Sequence, residues 1–75
     1  MKHLEQVEVF NLAIAQSPLS TEFKTVTETL GFHTFSELLQ HRTIKLQILP
    51  GFNQHLIYEY VDFMERNQMG HLIDT

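Results

Sequence analysis

The stretch LPGFNQHLIYEYVDFM, Leu49–Met64, decides how this chain folds. Pro50 stops the helix before it, because the residue preceding a proline is pushed out of the helical region. Gly51 admits dihedrals closed to other residues, and Phe52 offers an apolar side chain to the core. Asn53 then either caps the next helix or takes the left-handed conformation that Asn tolerates. From about Gln54 to Asn67 the spacing predicts a helix. His55, Glu59, Asp62 and Arg66, spaced 4, 3 and 4, form its polar stripe, and Ile57, Tyr60, Val61 and Met64 its buried side.

Upstream, Thr43 can cap a single turn, Ile44 to Ile48, in which Leu46 and Ile48 are expected to be buried. Before it, Thr34-Phe35-Ser36-Glu37 reads as a capping box, with Thr34 as N-cap and Glu37 reaching back to the Thr34 backbone N–H. Leu38 and Leu39 feed the core from this short helix. Earlier still, Ser20 can cap a helix with Glu22 in its first turn, where negative charge suits the dipole. Phe23, Val26 and Leu30 supply its apolar stripe. Gly31 is placed to close it in a left-handed conformation, with Phe32 as the hydrophobic residue that follows. Ser17-Pro18 separates this helix from the opening segment, Leu4 to Gln16. There the spacing of Leu4, Val7, Phe10 and Ile14 favours a helix, although Val7-Glu8-Val9 alternates as a strand does.

The expected fold is therefore all-α: a small domain of four to five helices, with a helix-hairpin-helix in its C-terminal half. Seventy-five residues allow a single domain, divided into an N-terminal segment 1–18, a core 19–69 and a tail 70–75. A chain this short buries only about 60% of the surface its unfolded form exposes. With no cysteine, neither a disulfide nor a thiolate metal site can assist, so the core must come from the 43% hydrophobic residues, six Phe among them. No apolar run approaches the roughly 18 residues of a membrane span. MKHLEQVEVF lacks the basic start, apolar run and cleavage site of a signal peptide, so the cytoplasm is the expected compartment.

The net charge of −4 is the wrong sign for a general nucleic-acid binder. Its distribution is uneven. Residues 38–58 carry Arg42 and Lys45 with no acid, whereas 1–37 and 59–75 each carry a balance of −3. The middle of the chain is a mildly basic window, to which His41 and His55 add charge at low pH.

With the capping box, the hairpin and the long last helix in place, Leu19 to about Met69 resembles the C-terminal domain of the RNA polymerase alpha subunit, and helix-hairpin-helix domains more broadly. LGFHTFSELL, Leu30–Leu39, is similar to that family's helix end, step and Thr-capped helix. Pro50, Phe52, Ile57, Glu59, Asp62 and Met64 fall where the family has proline, apolar, apolar, glutamate, aspartate and apolar residues. The resemblance implies a fold that grips the DNA minor groove and contacts transcription factors. The family's key arginine and following asparagine, however, fall here at Glu22 and Thr25. Its hairpin glycine falls at Asn53, and the next basic residue and serine at His55 and Leu56. A carboxylate at Glu22 repels a phosphate backbone, so the minor-groove activity is not expected to carry over.

Two surfaces remain as candidates. Leu56, Tyr58 and Phe63 flank the last helix and suit a protein partner, since aromatic residues bury large area at interfaces; a cover by Leu4 to Ile14 is the competing explanation, and Tyr58 the residue most expected to stay exposed. Arg42, Lys45, Asn53, Gln54 and His55 surround the hairpin, where backbone N–H groups opening a helix attract phosphate. A purely structural turn explains the same residues. His55, Glu59 and Asp62 share a face, but a solvated stripe with an Asp62–Arg66 pair accounts for them better than a metal or catalytic site. His3, His33, His41 and His71 show no ligand spacing. No nucleophile–base set, glycine-rich phosphate loop or pair of catalytic carboxylates is present, so neither catalysis nor a cofactor is expected. The expected function is a non-catalytic module that binds another protein through its last helix or hairpin. The alternative is weak, non-specific nucleic-acid binding through residues 41–56.

Overall fold

Four α-helices and two short 3-10 turns make up the described residues, 11–74 of the computed structural model. A 3-10 turn at Ile14–Gln16 leads to α1 (Thr21–Thr29), α2 (Phe35–Leu39), α3 (Thr43–Leu46) and α4 (Gln54–Arg66), and a second 3-10 turn at Gly70–Leu72 follows. Among the described residues there is no strand, only an isolated antiparallel bridge between Ala13 and Thr34. The all-helical class holds for these residues. Most of the expected Leu4–Gln16 helix lies outside them. Its last residues form the 3-10 turn, and Ala13 is extended, with the Ile14 N–H donating to the His33 carbonyl at 2.9 Å.

Local chemistry sets the helix ends. The Ser20 side chain accepts the Phe23 N–H at 3.2 Å and starts α1. At its other end Gly31 has φ +87, the Phe32 N–H donates to Thr27 at 2.8 Å and the Gly31 N–H to Glu28 at 3.0 Å. Those two bonds are the Schellman pattern, which satisfies carbonyls a helix end leaves open. At the start of α2 the Glu37 carboxylate accepts the Thr34 N–H at 3.0 Å, and the His33 N–H as well. Asn53 starts α4 by accepting the Leu56 N–H at 2.9 Å from an extended backbone (φ −150). The left-handed position of the turn between α3 and α4 belongs to Gly51, at φ +88.

The core consists of Ile14, Phe23, Phe35, Leu38, Leu46, Phe52, Leu56, Tyr60, Phe63, Met64 and Met69. Burying each large side chain stabilises the fold by roughly 1.5–3 kcal/mol relative to exposure. Ring contacts tie the elements together. Phe23 meets Phe52 edge-on at 5.9 Å and stacks on Tyr60 at 6.4 Å, and Phe35 stacks on Phe63 at 4.9 Å. Offset and edge arrangements of this kind are the ones aromatic quadrupoles favour. On α1 the buried positions are Phe23 and Thr27, with Val26 and Leu30 half-buried. Thr27 is tolerated there because its hydroxyl donates back to Phe23 and Lys24 carbonyls at 3.0 and 3.1 Å.

Three expectations require correction. Leu56 and Phe63 are buried, at 0% and 7% exposure. The buried arc of α4 centres on Tyr60, and Leu56 and Phe63 sit one turn to either side of it; Ile57 and Val61 lie at the arc's edge and are half-buried. At 100° per residue the true core face is turned by roughly 60° from the expected one. Ile48 is 72% exposed. Here α3 ends at Leu46, which points inward, so residues two positions away on either side, Ile44 and Ile48, point out. Finally, Thr43 is the first residue of α3 and not its cap; Arg42 holds that position without a side-chain bond.

Candidate functional site

The exposed face of α4, the turn before it and α3 with its cap hold the sequence-predicted residues that reach the surface. Tyr58 is 76% exposed. It lies roughly 160° round the helix from Tyr60, opposite the core, and Gln54, His55, Asp62, Glu65 and Arg66 on the same side are also exposed. A phenol ring at the middle of an otherwise polar face presents apolar area together with a hydrogen-bonding tip, the combination enriched at protein interfaces. Ile44 (62%) and Ile48 (72%) are the other large hydrophobic residues exposed among those described. Sequence reasoning passes over Ile44 and assigns Ile48 to the core. The signal was present: isoleucines at i and i+4 share a face, and Leu46 between them takes the opposite one.

Arg42, Lys45, Asn53, Gln54 and His55 are all exposed. The Asn53 amide oxygen is engaged by Leu56, so its role in the structure is the helix cap. Arg42 and Lys45 stand at the start and end of the single turn α3. The Asp74 carboxylate sits at that same start, accepting the Thr43 N–H at 2.7 Å and the Thr43 hydroxyl at 2.8 Å. These bonds, with the nearby Arg42 charge adding to them, hold the Asp74 carboxyl below the usual carboxylate range. A carboxylate is thus already placed within the basic window.

The polar stripe divides into separate parts. Arg66 and Asp62 form an exposed i, i+4 pair at 3.0 Å, worth about 0.3–0.5 kcal/mol. Glu59, at the edge of the core face, accepts the Ser20 N–H at 2.6 Å and the Ser20 hydroxyl at 2.9 Å, joining α4 to the start of α1. His55 stands 3.9 Å from Glu59, beyond hydrogen-bond range. Among the described residues no three His, Cys, Asp or Glu side chains converge where a metal ion could bind. No described helix is long and apolar enough to cross a membrane.

A shallow, mostly apolar cleft of about 250 Å³ opens between the Ile14–Gln16 turn and α1, lined by Ile14, Lys24, Thr27, Glu28, Phe32 and His33 among others. None of the sequence-predicted site residues lines it. Thr27 is bonded to its own helix, and Lys24 and Glu28 follow one another at i, i+4 along the wall, an arrangement without a nucleophile and base in partnership. Compared with known proteins, the chain matches no family model, no curated protein and no solved structure. The likeness to the polymerase domain therefore stands on the sequence pattern alone.

Proposed function

We propose that this chain is a non-catalytic binding module that docks another protein through the outer face of α4, with Tyr58 as its anchor. The observation that carries the reading is a large aromatic side chain, 76% exposed, opposite the core on the longest helix. Anchors of this kind dominate interfaces because they bury much area at a small entropic cost. The exposed Ile44 on α3 and Ile48 just after it supply further apolar area. The helix-hairpin-helix pattern of Leu49–Met64 and its likeness to a polymerase domain that contacts protein factors lend support, and the loss of the DNA-contact residues at Glu22 and Thr25 favours protein over DNA. Quantitative affinity capture from cell extract, comparing wild type with Tyr58→Ala, tests it. The expected result is loss of a specific co-purifying protein with the thermal midpoint unchanged. Identical capture by both forms would sink the reading.

A second reading, weak nucleic-acid binding through residues 41–56, rests on the exposure of Arg42, Lys45, Gln54 and His55. Two cations make a small phosphate footprint, and Asp74 at Thr43 reduces it further. An amide-shift titration with a short DNA duplex at low salt checks this reading. Shifts at Arg42, Lys45 and Gln54 that vanish in Arg42→Glu/Lys45→Glu would favour it over the first.

A further inference from the structure

Beyond α4 the chain turns back on the helices. Gln68 takes φ +62 and Met69 is buried, its N–H donating to Met64 at 2.8 Å. The 3-10 turn Gly70–Leu72 packs on α4, and Leu72 and Ile73 lie half-buried against the core. Asp74, also left-handed at φ +60, closes the path with its two bonds to Thr43, 31 residues away. The segment is thus joined to the rest at a strained non-glycine residue, and the exposed Asp74 carboxylate clasps its far end.

The helix it packs on carries an anomaly. The Tyr60 hydroxyl is buried, has no hydrogen-bond partner among the described residues, and feels the Asp74 charge. A buried polar group without a partner favours any state in which water reaches it.

We propose that residues 70–74 are a releasable strap, clasped by Asp74 on Thr43, whose opening hydrates the Tyr60 hydroxyl and bares the inner faces of Leu72 and Ile73 while α1–α4 remain folded. The clasp is exposed, so a competing contact at Thr43 can reach it without disturbing the core. Opening exchanges a sealed, charged edge for a partly apolar one. A segment whose clasp is a solvent-facing bond can open locally, below the free energy of global unfolding. The inference is independent of the role given to Tyr58, which lies on the opposite side of α4 from Tyr60.

Amide hydrogen exchange on the full chain, read residue by residue by NMR, tests the strap. In Asp74→Ala, protection of the Leu72 and Ile73 N–H groups should fall at least tenfold and the Tyr60 ring signals should move. Protection at Leu30 in the α1 cap and Ile57 in α4 should stay within twofold. Asp62→Ala, which removes an exposed acid elsewhere on α4, should leave the strap as in wild type. Strap protection unchanged in Asp74→Ala would overturn the proposal. So would an equal loss at Leu30 and Ile57, which would make the strap inseparable from the fold, or an equal loss in Asp62→Ala.

Discussion

Tyr60 packs its ring on Phe23 while its hydroxyl ends in a place without a partner among the described residues. Removing that oxygen removes a desolvation cost and little else. Tyr60→Phe should therefore leave stability at neutral pH unchanged or raise it by up to about 1 kcal/mol, measured by urea unfolding; a loss larger than that would show that the hydroxyl is satisfied. Burial, with the Asp74 charge second, raises the phenol well above its ordinary range. The unfolded chain ionises first, near pH 10, so the contribution of Tyr60 is full below that pH and is lost as pH rises above it. Tyr60→Phe should abolish this part of the alkaline decline. Two glycines offer a matched pair at the same scale. Gly31 and Gly51 share a left-handed φ, +87 and +88, but a Cβ at Gly31 meets nothing within 4 Å while one at Gly51 comes within 3.3 Å of both Val26 methyls. Gly31→Ala should cost about 1 kcal/mol for the backbone alone. Gly51→Ala should cost more, and Val26→Ala in the same chain should erase the excess; equal costs for the two single variants would contradict the steric account.

Helix ends divide into those written locally and those borrowed from afar. The Ser20 cap, the Glu37 half of the capping box and the left-handed Gly31 were legible because each depends on residues within four positions of one another. The end of α4 was less so. Its last turn closes as a second Schellman pattern, Met69 to Met64 and Gln68 to Glu65, but the left-handed position holds Gln68 and not the glycine that announces such a cap. Gln68→Gly should stabilise the fold by about 0.5–1 kcal/mol, read as a shift of the urea midpoint at constant slope. No gain would mean that contacts of the Gln68 side chain offset its backbone strain. The start of α1 receives Glu59 from α4, and that of α3 receives Asp74, 39 and 31 residues away. No local pattern marks such pairs. Glu59 read as a solvated stripe residue because the predicted core face was turned by less than one residue step, enough to move it from the edge of the core to open water. For the same reason Leu56 and Phe63 read as flank residues, open to a partner or to a covering segment, whereas Tyr58, far from either edge of the arc, reads as exposed and is.

At the scale of the described fold, the all-helical class was legible because stop, cap and periodicity agree from Ser20 onward. The surface was not, since in a domain with so few core positions a small rotation of one helix decides which aromatic residues are buried. Electrostatics at this scale follows from two carboxylates with unlike reach. Glu37 is held below its ordinary range by the His33 and Thr34 N–H groups, within one turn, and Asp74 by Thr43, across the chain, with Arg42 assisting. In both cases the unfolded chain takes up protons at a higher pH than the folded one. The stability each provides is therefore present above about pH 4–5 and is lost as pH falls through the depressed folded values. Glu37→Gln and Asp74→Asn should each flatten the acid limb of a stability–pH profile while leaving its neutral-to-alkaline part parallel to wild type. Their effects should add, because the two carboxylates serve different helices and share no partner. A double variant no flatter than either single one would mean that acid acts on one linked network, and an acid limb unchanged in all three would place the sensitive groups elsewhere in the chain.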